Sequence, residues 1–150
     1  MDTDAILIIP GIICILRFLN VENDRELLEL PKPGQSVLSI AHFLQDCGVE
    51  IEGVKFFGIA YNHSEELIPL GTDIVVTHEP PVMILDQSIG IHWGNAPLRN
   101  RVMDVKPRYH LFGHAHQDYG IVKQDGIVFS HAALLDDMNR LVRKPRLFML

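Results

Sequence analysis

Two apolar runs that break off at histidines constrain this chain more than any other feature in it. Asp73-Ile74-Val75-Val76-Thr77-His78 is almost continuously apolar until its last residues, as a strand covered on both faces requires, and Pro80-Pro81 forbids it from continuing. Tyr109-His110-Leu111-Phe112 reads as a second buried strand, and it runs directly into Gly113-His114-Ala115-His116. If the two strands are neighbours, three imidazoles meet at one edge of one sheet. In open α/β sheets that carboxyl edge is where ligands bind.

The remaining elements fit an α/β chain of mixed α+β character. Ile6-Leu7-Ile8-Ile9 is a short strand closed by Pro10-Gly11, and Ile12 to Leu19 fits either strand or helix. Residues 20 to 36 are acidic and then carry Pro31-Lys32-Pro33-Gly34, a surface connection with one helical turn around Arg25 to Leu30. This divides the chain into a divergent strand and linker over 1–36 and a main region over 37–150, a single domain overall. From Ser39 short apolar pieces broken at Asp46-Cys47-Gly48 and Glu52-Gly53 suit successive antiparallel strands ending in Val54 to Gly58. Ala96 to Val105 reads as a helix stopped by Pro107. Tyr119 to Lys123 and Ile127 to Ser130 form a hairpin around Asp125-Gly126, the preferred pair for a turn with positive φ.

Composition excludes some partners. A formal charge of −6 leaves no broad basic face for a nucleic-acid polymer or an anionic membrane. The basic run Arg140, Arg143, Lys144 and Arg146 is read as a solvated face. The longest apolar run, Ala5 to Leu16, is too short to span a bilayer and holds Pro10-Gly11 in its middle. It also follows Asp2 and Asp4, where a secretory signal would carry basic residues. Cys14 and Cys47 have neither zinc-knuckle nor redox spacing, which fits the cytoplasm.

Neutral imidazole is a common ligand for zinc, iron and manganese, and Gly113 lets the backbone come close to an ion. In an extended loop residues 114 and 116 project to the same side, so each can serve one ion of a pair about 3.5–4 Å apart. Taken singly, a His-x-His at a strand end is more often a polar turn, and a histidine before Pro-Pro more often a capped core residue. Their joint occurrence after buried strands points to metal, with His78, His114 and His116 as ligands. His92, beside Trp93 and Gly94 on the loop between the two strands, is a candidate contact for a substrate phosphate, against a purely structural role. His110 alternates away from the loop of His114 and is read as a satisfied core or surface histidine. Asp86 and Asp118 are candidate partners behind the ligand imidazoles.

The motifs Thr77-His78-Glu79-Pro80-Pro81, Tyr109 to His116, Tyr119-Gly120 and Asp125-Gly126 together resemble the last two blocks of the calcineurin-like metallophosphoesterases. The resemblance runs from about Gly48-Val49-Glu50 through Ala132-Ala133-Leu134 to Arg146-Leu147-Phe148, nearest the small metallophosphoesterase-domain proteins of bacteria and animals. It implies a partial β-sandwich of mixed sheets flanked by helices. It also implies two divalent ions (manganese, iron or zinc) and hydrolysis of a small phosphodiester or phosphomonoester by a hydroxide those ions activate. By the same resemblance His78 and His114 hold one ion and His116 the other. The family's Asp-x-His and Gly-Asp blocks have no counterpart here, and Ile12-Ile13 stand where its Gly-Asn-His block belongs. The expectation is a truncated or degenerate copy with weak metal affinity and little activity, paired with itself or with a complementing chain. The alternative is an inactive pseudo-phosphoesterase serving as a metal- or nucleotide-binding or oligomerising module.

Overall fold

The structure is a computed structural model and describes residues 5–9, 12–16, 44, 46–59, 63–138, 140–144 and 146–148. Its centre is a six-stranded mixed sheet. In chain order its strands are β3 (Cys47–Ile51), β4 (Val54–Ile59), β5 (Ile74–Thr77), β8 (Tyr109–Phe112), β9 (Gly120–Gln124) and β10 (Ile127–His131). They lie in the order β3-β4-β5-β8-β10-β9, with β4, β5, β8 and β10 mutually parallel and both edge strands antiparallel to their neighbours.

The two hairpins at the edges follow from turn chemistry. Glu52 and Gly53 take φ of 51° and 81°, and Asp125 and Gly126 take 51° and 85°. Positive φ at both central positions gives the turn whose twist matches that of paired strands.

The parallel strands are apolar on both faces because both faces are covered. Phe57, Val75, Phe112 and Phe129 pack on one face with Leu98, Val102 and Val105 of helix α1 (Ala96–Val105). Phe56, Ile74, Val76 and Leu111 alternate to the other face, where Val49, Ile51, Tyr109 and Phe148 join them. The helix keeps the bounds expected of it. Asn95 caps its start by accepting from Leu98 N at 2.8 Å, and Lys106 ends it in the left-handed region ahead of Pro107.

Two smaller sheets complete the described residues. The segment left open in sequence resolves as strand: β1 (Ala5–Ile9) pairs antiparallel with β2 (Ile12–Leu16) and parallel with β11 (Arg146–Leu147). Strands β6 (Gln87–Ser88) and β7 (Ile91–His92) make a short hairpin between β5 and α1. The architecture is mixed α/β, with one α-helix among the described residues. The helical turn expected around Arg25 to Leu30, the linker and His42 lie outside the described residues. No helix among the described residues is long and apolar enough to cross a membrane.

Candidate metal-binding edge

Strands β5 and β8 are adjacent and parallel, so their carboxyl ends arrive together. Gly113 N donates to His78 O at 3.1 Å, carrying the ladder past the ends of both strands. The two histidines that follow therefore meet: His78 Nε2 lies 3.0 Å from His114 Nδ1, with ring centroids 4.9 Å apart.

The loop is bent into consecutive tight turns. Ala115 N donates to Gly113 O at 3.0 Å and His116 N to His114 O at 2.9 Å. His114 has φ of 73°, the sign of the rare, strained γ-turn, and Ala115, with φ −77° and ψ 74°, is the common inverse form. His116 then opens a 3₁₀ turn, His116–Asp118. This corrects the expectation of an extended loop: with successive turns of opposite hand, residues 114 and 116 do not simply project to one side. His116 Nδ1 instead faces Asp137 Oδ1 at 3.8 Å. Among the described residues no group of three His, Cys, Asp or Glu side chains is placed to hold an ion. The structure brings His78 and His114 into contact, and His116 stands beyond the next turn with its Nδ1 3.8 Å from Asp137 Oδ1.

The fit to a metal can be tested on that pair. At bonds of about 2.1 Å, two imidazole nitrogens 3.0 Å apart subtend roughly 90° at a shared ion, and a tetrahedral site would hold them at about 3.4 Å. The pair therefore fits as two neighbouring donors of an octahedral ion. A catalytic ion ordinarily takes three protein donors. The described residues offer an incomplete set, and no hydrolytic step follows from them alone.

Four residues position the edge in ways that pattern reading did not give. Thr77 Oγ1 donates to Glu79 O at 2.7 Å, and its single proton is then spent. His110 Nε2, 2.9 Å from the same oxygen, must be the donor to it. His110 is fully buried, and desolvation pushes its pKa down to about 3, so the ring is neutral and braces the strand end that carries His78. The core role expected of His110 holds, but no sequence signal couples positions 77 and 110. Asn95 is the third residue. Besides capping α1, its Nδ2 donates to Glu65 Oε1 at 2.7 Å and Glu79 Oε2 at 3.1 Å, and its N donates to Pro80 O at 2.9 Å. An asparagine two places ahead of Pro97 is a helix-start signal that would have found it.

Arg143 is the fourth. It donates to His116 O at 2.5 Å, Leu135 O at 2.6 Å and Ala133 O at 3.3 Å. Its guanidinium lies 5.0 Å from the Tyr119 ring, which Arg146 also overlies at 4.0 Å. Arg140 pairs with Asp136 at 2.6 Å. The basic run is therefore not simply a solvated face, because two of its arginines tie the tail to the loop of His116. Asp86 and Asp118 serve other partners than the three ligand candidates: Asp86 Oδ1 takes His92 Nδ1 at 2.7 Å, and Asp118 Oδ2 accepts from Gln87 N at 2.9 Å.

Comparison with known proteins gives the edge its context. A UPF0046 protein of Caenorhabditis elegans is 34% identical over 131 residues, covering 77% of this chain and 45% of that protein. Metallophosphoesterase domain-containing protein 1 of Homo sapiens is 32% identical over 124 residues, covering 67% of this chain and 37% of its own length. The chain thus spans less than half the length of these curated relatives. One solved crystal structure superposes with a TM-score of 0.50 at 14% identity, over 64% of this chain and 47% of the other, a likeness of fold alone. No protein-family model matches.

Proposed function

This chain is a homologue of the UPF0046 and metallophosphoesterase domain-containing proteins over 67% to 77% of its length, and from that premise we propose that its sheet edge contributes to metal-dependent phosphoester hydrolysis. In this reading His78 and His114 are two donors to one divalent ion, manganese, iron or zinc, and His116 serves a second. When bound, the ions would polarise the phosphoryl group and supply the hydroxide that attacks a phosphodiester or phosphomonoester. The chain's own residues do the holding. Thr77 and His110 brace the end of β5, the Gly113-His114-Ala115 turns aim the second imidazole, and Arg143 secures the carbonyl of His116.

The reading is carried by the 3.0 Å approach of His78 Nε2 and His114 Nδ1 at the ends of adjacent parallel strands. The fold it implies is part of a metallophosphoesterase-type sandwich, supported by Phe148 beyond β11 packing edge-on to Tyr109 on the sheet face opposite α1. Donors beyond the pair would come from outside the described residues, from a second copy or from a complementing chain. The spacing of Cys14 and Cys47 supports a cytoplasmic setting.

A manganese titration followed by calorimetry, with turnover of a bis-aryl phosphate measured in parallel, tests this. Wild type should bind the ion and turn over the ester, and His78→Ala and His114→Ala should each lose binding. Equal binding by wild type and both variants would remove the proposal. A second reading, a non-catalytic binding module, is favoured by the absence of a third donor at the pair among the described residues. It expects stoichiometric manganese binding without turnover.

A further inference from the structure

The hairpin between β5 and α1 contains a second imidazole whose surroundings are built rather than incidental. Asp86 is 1% exposed, and a carboxylate so buried must have its lone pairs satisfied. Its Oδ2 accepts from Met83 N at 2.9 Å and Gly94 N at 3.0 Å, and its Oδ1 faces His92 Nδ1 at 2.7 Å. The Asp86 carbonyl also accepts from Trp93 N at 2.9 Å, so one residue clamps positions 92, 93 and 94 together. Gly94 is required for this approach. A Cβ there would stand 2.4 Å from Val82 Cα and 2.6 Å from Asp86 Oδ2.

An ionised carboxylate only accepts, so His92 Nδ1 must carry the proton. The ring therefore presents Nε2 outward, as a lone pair when neutral and as an N–H donor when protonated. Its side chain is 40% exposed, and its Nε2 lies 3.5 Å from the Gln87 amide nitrogen. Oδ2 of Asp86 holds the loop through two backbone amides, and the remaining oxygen, Oδ1, fixes the imidazole's tautomer and direction.

The hairpin stands at the same sheet edge as the histidine pair. Gln87 N donates to Asp118 Oδ2 and Ile89 N to Gln117 Oε1, each at 2.9 Å, which ties β6 and the hairpin tip to the turn that begins with His116.

We propose that His92 is an anion-contacting residue of this edge, its Nε2 hydrogen-bonding to a phosphoryl oxygen, with Asp86 and Gly94 as the residues that position it. Burial by itself would raise the Asp86 carboxyl, yet hydrogen bonds from His92, Met83 and Gly94 outweigh it and hold the group below its ordinary value, as a permanently charged anchor requires. The choice of a phosphoryl ligand rests on the phosphoester reading above.

Imidazole-detected nitrogen NMR on the full chain tests the two separately. The probe is phenylphosphonate, a non-hydrolysable phosphoryl anion, and manganese is titrated in a second sample. Phenylphosphonate should shift His92 Nε2. Its affinity should fall at least tenfold in His92→Gln, an exposed substitution, and severalfold in Asp86→Asn, where the ring loses its fixed tautomer. An unmoved His92, or wild-type affinity in His92→Gln, overturns the proposal even if manganese broadens His78 and His114. A shift at His92 with no manganese effect on that pair would support the anion contact and sink the metal reading instead.

Discussion

His114 should be more stable as glycine than as alanine, the reverse of the usual order. Both substitutions delete the same imidazole and the same contact with His78, so they differ only in backbone. At a φ of 73° alanine carries a left-handed strain of about 1–2 kcal/mol that glycine does not. Against this, glycine's greater freedom in the unfolded chain costs about 0.4–1 kcal/mol. The balance favours His114→Gly by roughly 1 kcal/mol, which for a chain of this size is about 2–4 °C in melting temperature. The site is exposed, so lost packing does not obscure the comparison. Thermal melting by circular dichroism reads it directly. The internal control is Ala115→Gly, at φ −77° and in a buried position, which should lower the melting temperature. A His114→Ala protein that melts at or above His114→Gly would refute the strained-turn account of this loop.

Two further predictions concern the residues that brace the edge. His110 is neutral in the fold, with a pKa near 3 against 6.5 unfolded, so the unfolded chain binds more protons between these values. Stability contributed by the buried neutral ring is full above pH 6.5 and is lost as pH falls toward 3, at up to about 1.4 kcal/mol per unit. His110→Leu, closer in volume and without a titrating group, should flatten that slope in urea melts between pH 6.5 and 4; an unchanged slope would show that the ring does not titrate as its burial demands. Asn95→Ala should cost about 0.5–2 kcal/mol through the lost helix cap, read as a lower urea midpoint with unchanged m-value. A midpoint equal to wild type would mean that Asn95 does not hold α1.

The bent histidine loop shows why pattern reading stopped short. Gly113-His114-Ala115-His116 has the spacing of an extended ligand pair, and alternation is a sound expectation for extended backbone. Nothing local in those four residues announces a γ-turn at a non-glycine position. The loop is fixed from outside itself, by Gly113 N reaching His78 O and by Arg143 reaching His116 O across 27 positions of chain. Likewise the Asp86–His92 contact arises because Gly94 has no side chain to keep Asp86 Oδ2 away, a matter of clearance that composition does not display.

What the amino-acid order determined by itself is local. Short, nearly continuous apolar runs specify β4, β5, β8 and β10, Glu52-Gly53 and Asp125-Gly126 specify two turns, and Asn95 to Val105 specifies a capped helix. Each depends on interactions within a few residues, where steric and solvation rules act directly on sequence. Adjacency was decided only in three dimensions: β5 beside β8 brings His78 to His114, while the C-terminal tail draws His116 toward Asp137. Those outcomes depend on which long-range contacts close best in the packed whole, and no window of neighbouring residues contains that information.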